Sequence, residues 1–296
     1  MNPASSRINR LPAWFRQDIP GAQARQTARI IRLCGVNTVC QQAQCPNIGH
    51  CFSKARPAFM ILGRSCTRSC RFCAVEKPGV HDLDIIDAEP AKIARAVKDL
   101  GLDYVVVTSV TRDDLADGGA EIFSRTIESI HQISKDIRVE VLIPDFGGRL
   151  ASLECILSAG PFVVAHNMET VRRLYPDLRP QADYQTSLFI LEKAKELRPD
   201  IFTKSSLMLG FGELESEVIG AMRDLREKGC DILTLGQYLA PTAAHYPVKE
   251  FVTVEQFQRY KDIGLSQGFK VVSSGPLLRS SYHADQVKDL VLITRG

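Results

Sequence analysis

From residue 59 onward the chain alternates short, β-branched apolar runs with amphipathic stretches. The runs are "FMIL", "YVVVTSV", "IRVEVLI", "FVVAH", "FTKSSLML", "DILTLGQ" and "KVVSSG". Near-continuous apolar character is what a strand covered on both faces requires. Between the runs, apolar residues recur at i, i+4, i+7: Ile93, Val97 and Leu100; Ile190, Ala194 and Leu197; Val218, Met222 and Leu225. That spacing places one apolar stripe on each of several helices. Strand then helix, repeated about six times, predicts parallel strands joined by right-handed crossovers. The expectation is an α/β fold, a partial (β/α)6-type TIM barrel spanning 59–272. Residues 1–58 lack the strand rhythm and read as an N-terminal extension, and 273–296, opening "SSGPLLRSSYHADQ", as a C-terminal tail.

Bulk composition narrows the function only by exclusion. A chain of 296 residues with 45% hydrophobic content can bury a full core. A formal charge of +3, from 37 Lys+Arg against 34 Asp+Glu, is too slight to argue for nucleic acid or a membrane surface. No apolar run approaches the roughly 18 to 20 residues of a membrane span, so a soluble, cytoplasmic protein is expected. Arg7, Arg10, Arg16, Arg25, Arg29 and Arg32 face only Asp18 in the first 32 residues, a bias shared with organelle transit peptides. "LPAWFRQDIPG" reads instead as a packed arm that could meet an acidic partner.

The cysteines carry the chemistry. Nine is an odd number, and no secretory segment accompanies them, so reduced thiolates binding metal fit better than a disulfide framework. Cys66, Cys70 and Cys73 have three and then two residues between them and no fourth thiol nearby. A structural zinc site closes its tetrahedron with four ligands, so a set of three borrows a partner or leaves a position open for chemistry. The set follows "FMILGR", and in a barrel the loops after the strands carry the site. A second set, Cys40, Cys45 and Cys51, precedes it. Cys34 leaves a four-thiol upstream site open by spacing, whereas Cys155 and Cys230 read as small buried hydrophobes. Thr108, Ser109, His166, Asn167 and Gln237 end later strands and converge on the same mouth, though capping or solvated loop explains each equally. "GFGE" at 210–213 lacks dinucleotide-loop spacing and reads as a strand-to-helix turn.

"CTRSCRFC" resembles the C-x3-C-x2-C signature of radical S-adenosylmethionine (SAM) enzymes, with Phe72 at the aromatic position. That resemblance implies a [4Fe-4S] cluster whose unligated iron is chelated by SAM, and a 5'-deoxyadenosyl radical released by one-electron cleavage of the sulfonium. The upstream set matches the C-x4-C-x5-C pattern of the lipoyl synthase family. "VTSVTRDDLADGGA", "RLYPDLRPQADYQTSL", "TKSSLMLGFGE", "LTLGQYLAPTAAHYPVKEFV" and "GPLLRSSYHAD" agree with it, from about Leu11 to Asp285. The resemblance implies a second [4Fe-4S] cluster on Cys40, Cys45 and Cys51, completed by a serine of the R-S-S-Y motif, Arg279 to Tyr282. Ser281 is the assigned ligand, with Ser280 the alternative.

The implied reaction inserts sulfur at C6 and C8 of an octanoyl chain amide-linked to a carrier lysine, with the second cluster sacrificed as sulfur source. Implied partners are octanoylated lipoyl domains of 2-oxoacid dehydrogenases (E2), the glycine cleavage H protein, a flavodoxin or ferredoxin donor and an iron–sulfur carrier. Gly118 and Gly119 resemble the glycine pair that lets backbone approach SAM, and Asn167 and Glu169 are candidate SAM contacts by position. Arg279 is expected to orient the tail near the second cluster. No residue is nominated as general base, since positioning must do the work. Another sulfur-inserting radical SAM enzyme, similar to biotin synthase, would lack the upstream set and the tail motif. A non-catalytic zinc or iron–sulfur module is the reading from a different class.

Overall fold

The computed structural model describes residues 12–15, 21–77 and 86–285. Arg7, Arg10 and Arg16 of the basic arm lie outside them. Seven strands stand where the apolar runs predict them: β2 (Ala58–Ile61), β3 (Tyr104–Ser109), β4 (Arg138–Leu142), β5 (Val163–Ala165), β6 (Phe202–Leu209), β7 (Ile232–Gln237) and β8 (Val271–Gly275). All seven pair parallel and in chain order, with Val105 beside Val139 and Leu233 beside Val272 in the register. Six strand-then-helix units and a closing strand make the open barrel expected. β8 runs to Gly275, so the tail leaves the sheet at Pro276.

The extension contributes something the apolar rhythm did not announce. β1 (Asn37–Thr38) pairs antiparallel with β2 and covers its edge. Around it lie helices α1 (Ala22–Cys34), α2 (Val39–Gln42) and α3 (Ile48–Ser53). The barrel helices that follow are α4 (Glu89–Leu100), α5 (Ala120–His131), α6 (Leu150–Ser158), α7 (Tyr175–Leu178), α8 (Tyr184–Leu197), α9 (Glu215–Glu227) and α10 (Val254–Ser266).

Strand residues sort by parity, as a period of two demands. Val105, Val107, Val139 and Val141 bury outward against Ile93, Val97, Phe123, Ile127 and Ile156 of the helices. Val218, Met222 and Leu225 do the same beside Leu233 and Leu235. Leu197 departs from its predicted stripe and is 42% exposed at the last residue of α8. Inward, Val163, Phe202, Ile232 and Val271 form an apolar floor. Above it Tyr104 and Val106 meet Cys40, Phe52 and Ala58 of the extension and Ala284 of the tail. A buried ion pair, Lys204 Nζ to Glu140 Oε1 at 2.7 Å, crosses the interior, and the Tyr104 hydroxyl donates to Glu140 at 2.6 Å. Extension and tail thus plug the side a complete barrel would close.

Candidate functional site

The loop carrying Cys66, Cys70 and Cys73 begins in a strained turn. Leu62 has φ +68, a left-handed conformation uncommon for a branched residue. Two interactions hold it: the Glu89 carboxylate accepts from the amides of Leu62 (2.6 Å) and Gly63 (3.0 Å), and Arg112 donates to the Leu62 carbonyl at 3.5 Å. Burial pushes Glu89 up to about 7, against those hydrogen bonds.

Arg68, within the loop, is clamped from two sides. Its guanidinium pairs with both oxygens of Asp145 at 2.6 Å and both of Asp113 at 2.9 Å. Burial alone would raise the Asp145 carboxyl, but the Arg68 hydrogen bonds, the nearby positive charge and the Gly147 amide together outweigh it and hold the group at about 2. Ser69 is tied to Gln181, Arg71 to Asp177, and the Lys77 ammonium donates to the carbonyls of Cys70 and Cys73. The Thr111 amide donates to Cys66 Sγ at 3.3 Å, a contact that suits a thiolate bearing charge on a metal.

The upstream thiols sit on α2, the following turn and α3. The Cys45 amide donates to the Cys40 carbonyl at 3.0 Å and the Cys51 amide to the Asn47 carbonyl at 2.9 Å, so two short helices fold the thiols toward each other. Burial pushes Cys40 up to about 11 and Cys51 up to about 12, the latter also raised by Cys40 and Cys45. Burial likewise lifts Cys73 to about 11. Without a cation these groups keep their protons at neutral pH, and a polynuclear metal centre would supply the charge that releases them. Among the described residues no three His, Cys, Asp or Glu side chains converge as ligands of a single metal ion. Cys34 is not a fourth upstream ligand in this arrangement: its thiol donates to Asp99 at 3.7 Å and packs in the barrel-side core.

The tail ties the upstream set to the barrel. Asn47, between Cys45 and Cys51, donates its side-chain amide to the Leu277 carbonyl, and Arg56 pairs with Asp285 at 3.2 Å. Arg279 lies within electrostatic reach of Cys45 on one side and Glu169 on the other. Ser280 is buried and its hydroxyl has no partner among the described residues, whereas Ser281 is half-buried.

The strand-end residues divide. Gln237 is structural: its amide nitrogen lies within donor distance of the carbonyls of Leu209, Tyr238 and Glu250 and its oxygen accepts from the Val252 amide, so both ends of the group are engaged by backbone. Thr108 donates to the Leu142 carbonyl at 3.1 Å. Ser109 Oγ, His166 Nε2, Asn167 Oδ1 and Arg179 Nε are buried with no partner among the described residues. Such a group of unmet polar atoms at one barrel mouth calls for a polar ligand. Burial, then the Arg179 charge, lowers His166 to about 4, so it is neutral at physiological pH. Glu169 holds φ +65, its backbone bridging Ser206 and Met208, and accepts from Asn167 Nδ2 at 3.0 Å. Burial raises its carboxyl against the Arg179 charge.

Phe72 packs on Phe211, with ring centroids 6.0 Å apart. Gly118 and Gly119 have φ +66 and +89; a Cβ on the first would lie 2.7 Å from Phe146, and one on the second would overlap Leu62. Packing and backbone conformation therefore account for both glycines. "GFGE" is the expected turn, with Glu213 accepting from the amides of Gly210 and Phe211. Arg68, Asp145, Glu89 and Arg179 were not singled out by sequence, since a charged residue in a loop normally marks a solvated surface.

Known proteins of related sequence agree with this arrangement. The profile of the radical SAM superfamily matches residues 60–225. The lipoyl synthase of Caldanaerobacter subterraneus subsp. tengcongensis is 51% identical over 276 residues, covering 93% of this chain and 96% of its own. That of Thermus thermophilus is 50% identical over 278 residues, covering 93% and 86%. Among solved structures, Streptococcus suis SuiB bound to S-adenosylmethionine superposes with a TM-score of 0.56 at 12% identity, over 80% of this chain and 57% of SuiB. HydG, a maturase of the [FeFe]-hydrogenase, gives 0.52 at 15% identity, over 85% and 68%. At such identities the structures speak for the barrel alone. Half-identity along nearly the whole length of both chains says more, and by it this chain belongs to the lipoyl synthase family of radical SAM enzymes.

Proposed function

We propose that this radical SAM lipoyl synthase holds one [4Fe-4S] cluster on Cys66, Cys70 and Cys73 and a second on Cys40, Cys45 and Cys51, and that the second is the sulfur source. The observation that supports the reading is the tail strap: Asn47, between Cys45 and Cys51, donates to the Leu277 carbonyl, and the Leu278 carbonyl lies against Gly236 of β7, so the tail links the upstream thiols to the barrel strands. When bound, the first cluster and SAM supply a 5'-deoxyadenosyl radical that removes hydrogen from an unactivated carbon.

This chain's residues then do three things. The Arg68 clamp and the Glu89-braced turn fix the cluster loop over the barrel. Asn167, Glu169 and the backbone at Gly118 and Gly119 are the proposed SAM contacts, with Phe72 braced by Phe211 beside them. The plug of extension and tail excludes water and sets the octanoyl chain between the two thiol sets, where proximity alone can direct sulfur to C6 and C8.

Ser281 is the proposed fourth ligand of the upstream cluster, from its place in the motif. The buried, partnerless hydroxyl of Ser280 favours that neighbour as the alternative. Electron paramagnetic resonance of the reduced auxiliary cluster in Ser281→Ala and Ser280→Ala separates them, since only loss of the true ligand alters the spectrum.

The substrate is proposed to be the octanoyl-lysine of lipoyl domains in 2-oxoacid dehydrogenase E2 and of the glycine cleavage H protein. A flavodoxin or ferredoxin would supply electrons and an iron–sulfur carrier the clusters, in the cytoplasm and without nucleic acid or membrane. Among the described residues no helix is long and apolar enough to cross a bilayer. Mass spectrometry of an octanoylated carrier after anaerobic incubation with SAM and reductant tests the function. A gain of two sulfur atoms is expected, and an unmodified octanoyl group would refute it.

A further inference from the structure

Beside the upstream thiols, helix α3 and the tail bring three rings together at a half-buried patch. His50 and His283 have centroids 5.3 Å apart, Tyr282 and His283 4.1 Å, and His50 and Tyr282 5.4 Å. His50 immediately precedes Cys51, and His283 lies two residues past Ser281. The tail bearing Tyr282 and His283 is tied to the upstream set by the Asn47 side-chain amide, which donates to the Leu277 carbonyl, and by the Arg56–Asp285 pair at 3.2 Å, which places the patch beside Cys45 and Cys51.

Two features set it apart from ordinary surface. His283 has φ +55, a strained conformation for a non-glycine residue, and strain of this kind is retained where the surrounding structure over-determines it. Among the described residues no hydrogen bond engages either imidazole. Both rings are thus held by ring-to-ring packing, each leaving its one unprotonated nitrogen free of a protein donor. Imidazole is a good ligand for iron, and two rings alone cannot complete its coordination sphere.

We propose that His50 and His283 form a hand-off site, which transiently ligates an iron–sulfur cluster arriving on a thiolate carrier protein before Cys40, Cys45 and Cys51 take it. The inference rests on the reading that the upstream cluster is consumed and must be replaced. The step is ligand exchange without redox change. An iron–sulfur bond to the carrier breaks as an iron–nitrogen bond to imidazole forms, and the freed carrier thiolate takes a proton from water. The enzyme thiols then release their protons to water as they displace the imidazoles, which balances the proton taken up by the carrier for each ligand exchanged. An incomplete pair suits this purpose, because it holds the cluster only while other ligands remain on it.

The test uses the full-length enzyme carrying His50→Gln and His283→Asn, the latter chosen because Asn tolerates the left-handed backbone. Both clusters are first built chemically from iron and sulfide, a route that needs no hand-off. After one turnover, transfer of a [4Fe-4S] cluster from a thiolate scaffold protein is followed by circular dichroism. Transfer at least tenfold slower than wild type is expected, with first-turnover yield and chemically loaded iron unchanged. Unaltered transfer would overturn the proposal. So would a matching loss of first-turnover yield, since the rings would then serve the resident cluster. If sulfide-labelled wild type gives unlabelled product, the sulfur-source reading fails instead, independently of both variants.

Discussion

Gly236 lies in β7, where the tail crosses the sheet. A Cβ at this position would overlap the Leu278 carbonyl oxygen and lie 2.9 Å from its carbon. The obstacle is backbone, so no side-chain rotation relieves it. Overpacking of this kind costs about 1–3 kcal/mol. Release of the tail from the strand loses the bonds from the Gln237 amide to Pro276 and from the Leu278 amide to Gly275, both 3.2 Å. At about 0.5–1.5 kcal/mol each, that is also about 1–3 kcal/mol. β7 itself is locked between β6 and β8, so in Gly236→Ala the tail yields and the barrel stays. The detached population should rise roughly 5- to 150-fold, at about 1.4 kcal/mol per decade. Hydrogen exchange read by peptide mass spectrometry should show the loss at the amides of Leu278 and Tyr282, with β6 and β7 protected as before. Lipoyl product should fall more than 5'-deoxyadenosine formation, because the tail's direct hydrogen bond and ion pair to the extension, from Asn47 to Leu277 and from Arg56 to Asp285, lie beside the upstream set. Wild-type protection and full product yield in this variant would refute the role given to the strap.

Three further outcomes follow from the same geometry. Arg68→Ala strands the buried Asp145 and should cost about 3–5 kcal/mol in denaturant unfolding. In wild type the depressed Asp145 contributes stability that is complete above pH 4 and lost as pH falls toward 2; in Arg68→Ala that acid loss should vanish, and its persistence would contradict the clamp. Glu89 has a folded value raised to about 7, so its contribution is full below about pH 4.5 and declines as pH rises through 7; Glu89→Gln should flatten that slope in pH-dependent melting. Cys66→Ala should abolish SAM cleavage, whereas Cys40→Ala should still yield 5'-deoxyadenosine without lipoyl product, as product chromatography would show; sulfur insertion by both would defeat the division of roles.

The strands were legible because fully covered parallel strands must be apolar throughout, and all seven runs from "FMIL" to "KVVSSG" became strands. The helix stripes were legible for the same reason, save at Leu197, the exposed last residue of α8. The thiol sets stand out in the sequence because the spacing within each is local. Pairings over long separations left no such trace. Arg68 and Asp145 are 77 residues apart, and Asn47 reaches Leu277 across 230, so neither contact has a local pattern. Gln237 was misleading for a physical reason: a polar residue at a strand end may serve the substrate or the fold, and only its backbone partners decide. The two-residue strand β1 is too short to show any period.

The most direct measurement loads the enzyme with clusters built from 34S-sulfide and gives it unlabelled SAM, reductant and octanoylated carrier for one turnover. Mass spectrometry should find both sulfur atoms of the product labelled, in the enzyme whose Cys40, Cys45 and Cys51 are intact. A product with two unlabelled sulfur atoms would contradict the account.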